Sequence, residues 1–232
     1  MNDPGVALIL FDIDGTLIRR AGPQHRAALE EAVVRVTGFK ATTEGIPVQG
    51  MLDRDILRAM LGAAGASRRV MQSQMAAIVR EAQRLYLRTC PDLRARICPG
   101  VRRLLRRLRR RGVPAGLVTG NLSRIGWRKM ERAGLRPYFR VGAFAEQGGT
   151  RAELAGRAWA EARRRGLIRC GARVALIGDH PNDIAAARAN GMLSVAVATG
   201  VVPLEELRRH EPDILLEDLR GLDLETLLCE GG

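Results

Sequence analysis

The chain has 232 residues, of which 46% are hydrophobic and 3% aromatic, with four cysteines and a formal net charge of +13. This length and apolar content exclude intrinsic disorder and fit one substantial domain with a smaller one attached. No apolar run approaches the roughly 20 residues needed to cross a bilayer, and no secretory pattern opens the chain, so a soluble, cytoplasmic protein with no membrane partner is expected.

The first predicted element is an apolar strand over 6–11. It runs directly into Asp12-Ile13-Asp14-Gly15-Thr16. Side chains alternate faces along a strand, so Asp12 and Asp14 can share a site only if the chain leaves strand geometry between them, which Gly15 permits. One carboxylate could then attack or ligate while the other shuttles a proton. A solvated Asp-Gly turn is the plain alternative. A calcium loop is not: counted from Asp12, its twelfth position would need Glu and holds Pro23.

Residues 18–95 carry helical patterns at 24–36, 53–64 and 67–89 with no convincing strand between them. Pro91 and Pro99-Gly100 punctuate the return to alternation. Hinges are expected near 18–22 and 96–100. His25 reads as a surface residue. Asp53 could cap the helix that follows it or, with Arg54, face a substrate anion.

A helix over 101–111 holds the densest basic run. Val101, Leu104, Leu105 and Leu108 recur at helical spacing, so its arginines read as the solvated back of an amphipathic helix. All but two of the 38 basic residues are arginines, the exceptions being Lys40 and Lys129. Such skew fits compositional bias, and the scarcity of aromatic platforms for bases argues against specific nucleic-acid binding.

Strands follow at 115–118, 141–144, 174–177, 194–197 and 213–216. Helices are expected at 123–133, 153–165, 183–190 and 203–210, with Gly112, Gly134, Gly166 and Gly191 as C-terminal stops. The strand at 115–118 ends in Thr119-Gly120-Asn121, a hydroxyl, a flexible residue and an amide able to meet phosphate oxygens. The strand at 174–177 delivers Gly178-Asp179-His180-Pro181-Asn182-Asp183. If the turn winds into a helix, Asp179 and Asp183 share a face, and an all-oxygen cluster suits Mg²⁺. His180 and Asn182 read as exposed or supporting side chains. The alternation predicts an α/β protein with a Rossmann-like parallel sheet, binding its ligand at the strands' carboxyl ends. Cys90, Cys98, Cys170 and Cys229 show no paired spacing and are expected as free thiols.

The three blocks Asp12-Ile13-Asp14-Gly15-Thr16, Thr119-Gly120-Asn121 and Gly178 to Asp183 together resemble the haloacid dehalogenase superfamily. The helical stretch resembles the cap of its phosphoglycolate phosphatase and β-phosphoglucomutase branch. The resemblance implies a catalytic core of residues 1–17 plus 96–232, with an inserted all-helical cap over 18–95. It implies Asp12 as nucleophile and Asp14 as general acid/base. Thr119, with Gly120 and Asn121, would bind the phosphoryl group. Mg²⁺ would be held by Asp12, Asp179 and the Asp14 carbonyl, with Asp183 as a ligand or orienting group.

The family's basic residue, commonly Lys, falls on Arg151, with Arg157 next in line. Lys129 stands too close to Thr119 for that role. In the cap, Gly50 and Asp53 match a specificity loop in which Leu52 replaces the usual Thr, and Arg54 adjoins it. The implied activity is Mg²⁺-dependent hydrolysis of a small phosphorylated metabolite. A phosphomutase, or a basic nucleic-acid-binding protein on a retained fold, are the alternatives.

Overall fold

The computed structural model describes residues 6–19 and 22–228. Six strands make one sheet: β1 (Val6–Phe11), β2 (Ala115–Val118), β3 (Phe139–Ala143), β4 (Arg173–Gly178), β5 (Leu193–Val197) and β6 (Ile214–Leu216). They lie in the order β3-β2-β1-β4-β5-β6, every adjacent pair parallel. A parallel sheet must be covered on both faces, which is why Leu8 to Phe11 and Val174 to Ile177 are apolar without alternation and buried throughout. The covering helices among the described residues are α4 (Val101–Arg110), α5 (Ser123–Ala133), α6 (Arg151–Arg164), α7 (Pro181–Ala189), α8 (Leu204–Arg209) and α9 (Leu224–Leu228).

The chain builds outward from β1 through β2 to β3, then returns to the other side of β1 and builds from β4 to β6. The order therefore reverses at β1, and the crevice beyond its carboxyl end is where ligands of such sheets bind. The sequence places strands and helices close to these positions. β3 begins two residues earlier than expected, at Phe139, because that ring packs edge-on against Phe11 at 6.1 Å and pulls the strand's start into the core. The short α9 has too few residues to show a period.

Between β1 and β2 the chain inserts α1 (Pro23–Thr37), α2 (Asp53–Ala63) and α3 (Arg68–Thr89). Their apolar stripes face one another: Ala28, Leu29, Ala32 and Val33 on α1, Ile56, Leu57, Met60 and Leu61 on α2, Met75, Ile78, Ala82 and Tyr86 on α3. The insert joins the core through two short antiparallel segments. Arg19 N donates to Arg96 O at 2.7 Å and Cys98 N to Leu17 O at 3.1 Å. This pairing lies where hinges are expected, although residues 20 and 21 of the first lie outside the described residues.

On α4 the four expected apolar residues are buried and Arg106, Arg109 and Arg110 are exposed. Arg107 and Arg111 pair with Glu225 of α9, and Arg103 donates to Arg220 O. Part of the basic face thus contacts α9 and the loop before it. Cys90, Cys98 and Cys170 are free thiols, and Cys229 lies outside the described residues. No helix is long and apolar enough to cross a membrane among the described residues.

Candidate active site

Asp12 follows the last residue of β1, its N–H donating to Ile177 O at 2.9 Å. The chain then leaves strand geometry at once. Leu17 N and Ile18 N both donate to Ile13 O, Gly15 N donates to Ile18 O, and Gly15 takes a φ of 92°. That loop carries Asp14 to the same cavity as Asp12. It also closes on Asp179: a Cβ on Gly15 would lie 2.1 Å from Asp179 Oδ2, and one on Gly200 would lie 1.7 Å from the same atom. The carboxylate is thus clamped between two glycines while Thr16 donates to its Oδ1 at 3.0 Å. Gly15→Ala is expected to lose about 1–3 kcal/mol from the left-handed backbone alone, and the displaced Asp179 adds to that. Urea unfolding of the variant checks it; an unchanged midpoint contradicts the geometry.

Asp183 sits on the first turn of α7, buried, its Oδ2 accepting from His180 N at 3.3 Å. Arg151 opens α6 behind its N-cap Thr150. Its Nη1 donates to Asp12 Oδ1 at 2.9 Å, and its Nε lies 3.3 Å from Asp183 Oδ1, an ion-pair contact without hydrogen-bond geometry. Arg151 is 8% exposed and bridges two motifs, whereas Arg157 faces solvent.

Thr119 Oγ1 accepts from Asn121 N and from Asn121 Nδ2 at 3.4 and 2.7 Å, which leaves its own proton to donate. Gly120 is where the insert touches down. Asp53 N donates to Gly120 O at 2.7 Å, and a Cβ on Gly120 would lie 2.4 Å from Met51 O.

The insert's expected residues divide. Gly50 lines the cavity against His180, and Asn182 donates to Gly50 O at 3.0 Å. Asp53 is the first residue of α2, behind the N-cap Leu52, and its buried Oδ2 accepts from Leu122 N at 2.8 Å. Arg54 does not line the cavity, because the helix turns it away from the face that Asp53 and Ile56 present.

Two residues enter the site against the sequence reading. Lys129, on α5, is fully buried and donates to Asp14 Oδ2 at 2.5 Å. The sequence reading sets it too near Thr119 for the basic role expected of Arg151, yet two helical turns carry it back beneath Asn121. His25, read as a surface residue, lies between Lys129 and Asp53, because the first turn of α1 leans on the core. The one hint was that Lys129 is among only two lysines in so arginine-rich a chain.

The electrostatics follow from burial. It pushes Asp12 up to about 6 against the pull of Arg151, with Asp183 and Asp14 adding to the rise, and Asp179 up to about 8, with Asp12 and Asp183 adding to it. Asp183 is raised by burial too. Asp14 is lowered: burial acts to raise it, but the Lys129 ammonium and the His25 ring outweigh that. Ligand oxygens of Asp12, Asp179 and Asp183 come within 4.8 Å of one another. Among the described residues, Arg151 and Lys129 are the cations paired with these three acids and Asp14, so the cluster carries excess negative charge once all four are ionised. Its donors are all oxygens and Asp183 Oδ1 has no hydrogen bond, which fits a hard divalent cation. The cavity above measures about 370 Å³ and continues between core and insert past Arg26, Leu29, Thr43, Val48 and Gln49.

A doubly wound sheet with convergent carboxylates, a strand-end hydroxyl and a buried arginine at its switch point defines an α/β enzyme acting on an anionic ligand. The chain belongs to the haloacid dehalogenase-like hydrolases, whose family model matches residues 6–191. Among solved structures it resembles a β-phosphoglucomutase from Clostridium difficile at 18% identity and a TM-score of 0.70, covering 96% of this chain and 95% of that one. It likewise resembles a protein named as a predicted phosphoglycolate phosphatase from Haemophilus somnus 129pt, at 19% identity and a TM-score of 0.65, over 92% and 95% of the two chains. At these identities the likeness is one of fold. A curated relative from Caldanaerobacter subterraneus subsp. tengcongensis, named "Putative pyrophosphatase PpaX", is 46% identical over 44 residues; the match spans 19% of this chain and 20% of that relative.

Proposed function

We propose that the protein is a Mg²⁺-dependent phosphatase of small phosphorylated metabolites that works through an aspartyl phosphate on Asp12. The observation that carries this reading is the meeting of Asp12, Asp14, Thr119, Arg151 and Asp179 around one cavity, drawn from four separate strand ends and helix starts. Asp12, Asp179 and the Asp14 carbonyl would hold the cation, with Asp183 beside them. When bound, Mg²⁺ supplies positive charge against the phosphate oxygens.

Thr119 donates its free proton to a phosphoryl oxygen, and Arg151 neutralises charge on the attacking side. Asp12 attacks phosphorus, the ester P–O bond breaks, and the leaving oxygen takes a proton from Asp14. Water then attacks phosphorus as Asp14 takes its proton, and Asp12 is released. The Lys129 contact favours the carboxylate form of Asp14, which suits the second step. An anionic substrate placed beside Asp14 raises its proton affinity again for the first.

The insert, with proposed bounds of 18–95, serves as a cap that closes the cavity and selects the substrate. Cytoplasmic location and a small-molecule partner belong to the same proposal. A phosphomutase differs in passing the phosphoryl group to a sugar hydroxyl rather than to water. The test is a screen of phosphorylated metabolites with Mg²⁺, reading released phosphate and, for hexose 1-phosphates, sugar phosphate products. Phosphate release abolished by chelator is expected. Undiminished release in excess chelator, or none from any substrate, contradicts the proposal.

Metal binding has its own readout. Asp12 and Asp179 have folded values raised to about 6 and about 8 from 3.8. A raised acid contributes its stability below its unfolded value and loses it as pH rises through the folded one. The metal-free protein should therefore lose stability between about pH 4 and pH 8, where deprotonated ligands bind cations best. Mg²⁺ is expected to raise the melting temperature, by more at pH 8 than at pH 5. Scanning fluorimetry checks this; no shift at either pH contradicts the metal site.

A further inference from the structure

Lys129 has three ammonium protons and three acceptors: Asp14 Oδ2 at 2.5 Å, Asn121 Oδ1 at 2.6 Å and His25 Nδ1 at 3.2 Å. Accepting at Nδ1 places the His25 proton on Nε2, which donates to Asp53 Oδ2 at 3.0 Å. That oxygen also takes the Leu122 N–H of the core. Asn121 Nδ2 adds a second donor to Asp14 Oδ2 at 2.8 Å. One oxygen of Asp14 is thus held from two directions, and Oδ1 is left to face the cavity. The hydrogen bonds of Lys129 go to this side of the site, while Asp12 and Asp183 are served by Arg151. A tetrahedral ammonium suits three divergent acceptors in a closed space, and a planar guanidinium does not.

The geometry points to Lys129 as a positioning residue for Asp14. It fixes the carboxylate so that Oδ1 exchanges the proton, and through His25 and Asp53 it makes that aim depend on α1 and α2 being docked on the core. This rests on the proposed role of Asp14 as proton donor and acceptor. In the first step the P–O bond to the leaving group breaks, its electron pair stays on the departing oxygen, and that oxygen takes the proton from Asp14 Oδ1. A misdirected Asp14 therefore matters most when the leaving oxygen is basic.

The test compares single-turnover release of phenol and of p-nitrophenol from phenyl and p-nitrophenyl phosphate with the Mg²⁺-loaded full chain. Lys129→Met is expected to lose about tenfold or more on phenyl phosphate and less than about threefold on p-nitrophenyl phosphate, since general acids matter little to good leaving groups. Inhibition by inorganic phosphate should be unchanged. His25→Ala should show a smaller loss with the same leaving-group dependence, and the double variant should be no worse than Lys129→Met alone. Equal losses on both esters, or additive losses, overturn the inference while leaving the phosphatase reading intact. Should Lys129→Met not fold, the half-buried His25→Ala carries the test, and equal losses in it overturn the inference too. A wild-type enzyme that cleaves neither ester, nor any metabolite in the screen, overturns the phosphatase reading and this inference with it.

Discussion

Asp12→Asn is expected to lower turnover by at least about 10⁴-fold, the scale on which removal of a nucleophile acts. The amide has nearly the same shape, so packing after β1 and the Asp12 N–H bond to Ile177 survive. It also removes from a buried cluster an acid that raises Asp179 and is itself raised by burial and by Asp183. The metal-free variant should accordingly melt no lower than wild type above about pH 6, because the lost charge was one that burial disfavoured. A purified variant within tenfold of wild-type activity contradicts the assignment. A variant that unfolds would show instead that Asp12 is chiefly structural.

The second large effect belongs to Arg151. It bridges Asp12 and Asp183 with almost no access to solvent, and its own proton is held more tightly by both acids. Arg151→Met leaves those acids buried without a cation. Removing one partner of a buried ion pair costs about 3–5 kcal/mol, and activity should fall by about 10²-fold or more with it. Arg151→Lys is the informative control. Lysine is the residue to which Arg151 is proposed to correspond in the family, but it offers a point charge where arginine spans two carboxylates. Arg151→Lys is expected to keep activity within about tenfold and to recover most of the stability. Equal damage from Met and Lys would mean that this site needs the fork. No damage from Met would place the basic role elsewhere. Urea unfolding and steady-state rates read both.

Sequence carried most of the fold because most of its strands and helices announced themselves locally. The apolar runs at β1, β2 and β4 are continuous, as doubly covered strands must be, and glycines stop the helices between them. Asp12, Asp14, Thr119, Asp179 and Arg151 were legible for a related reason: each stands within two or three residues of a strand end or a helix start. A local pattern therefore fixes where each one points.

Lys129 and His25 were not legible. Lys129 lies well inside α5 and His25 on the first turn of α1, and their meeting depends on the insert packing on the core, where α3 rests against α5. No period in either segment encodes that approach. Asp53 shows the same limit. Its place beside a helix start suggested a cap or an anion contact, whereas its carboxylate joins the insert to Leu122 across the cavity wall. Gly200 is a third case. Nothing near it in sequence suggests that it makes room for Asp179, 21 residues back along the chain.

The most direct measurement is chemical capture of the phosphorylated enzyme. Wild-type protein and Asp14→Asn are mixed with Mg²⁺ and excess p-nitrophenyl phosphate, quenched in acid within a turnover, and reduced with borohydride, which converts an acyl phosphate to homoserine. Peptide mass spectrometry then locates the reduced residue. Homoserine at position 12 is expected in both proteins, more abundant in Asp14→Asn because water is no longer activated for the second step. Nitrophenol release with residue 12 unmodified in both, or reduction at another carboxylate, would contradict an aspartyl phosphate on Asp12.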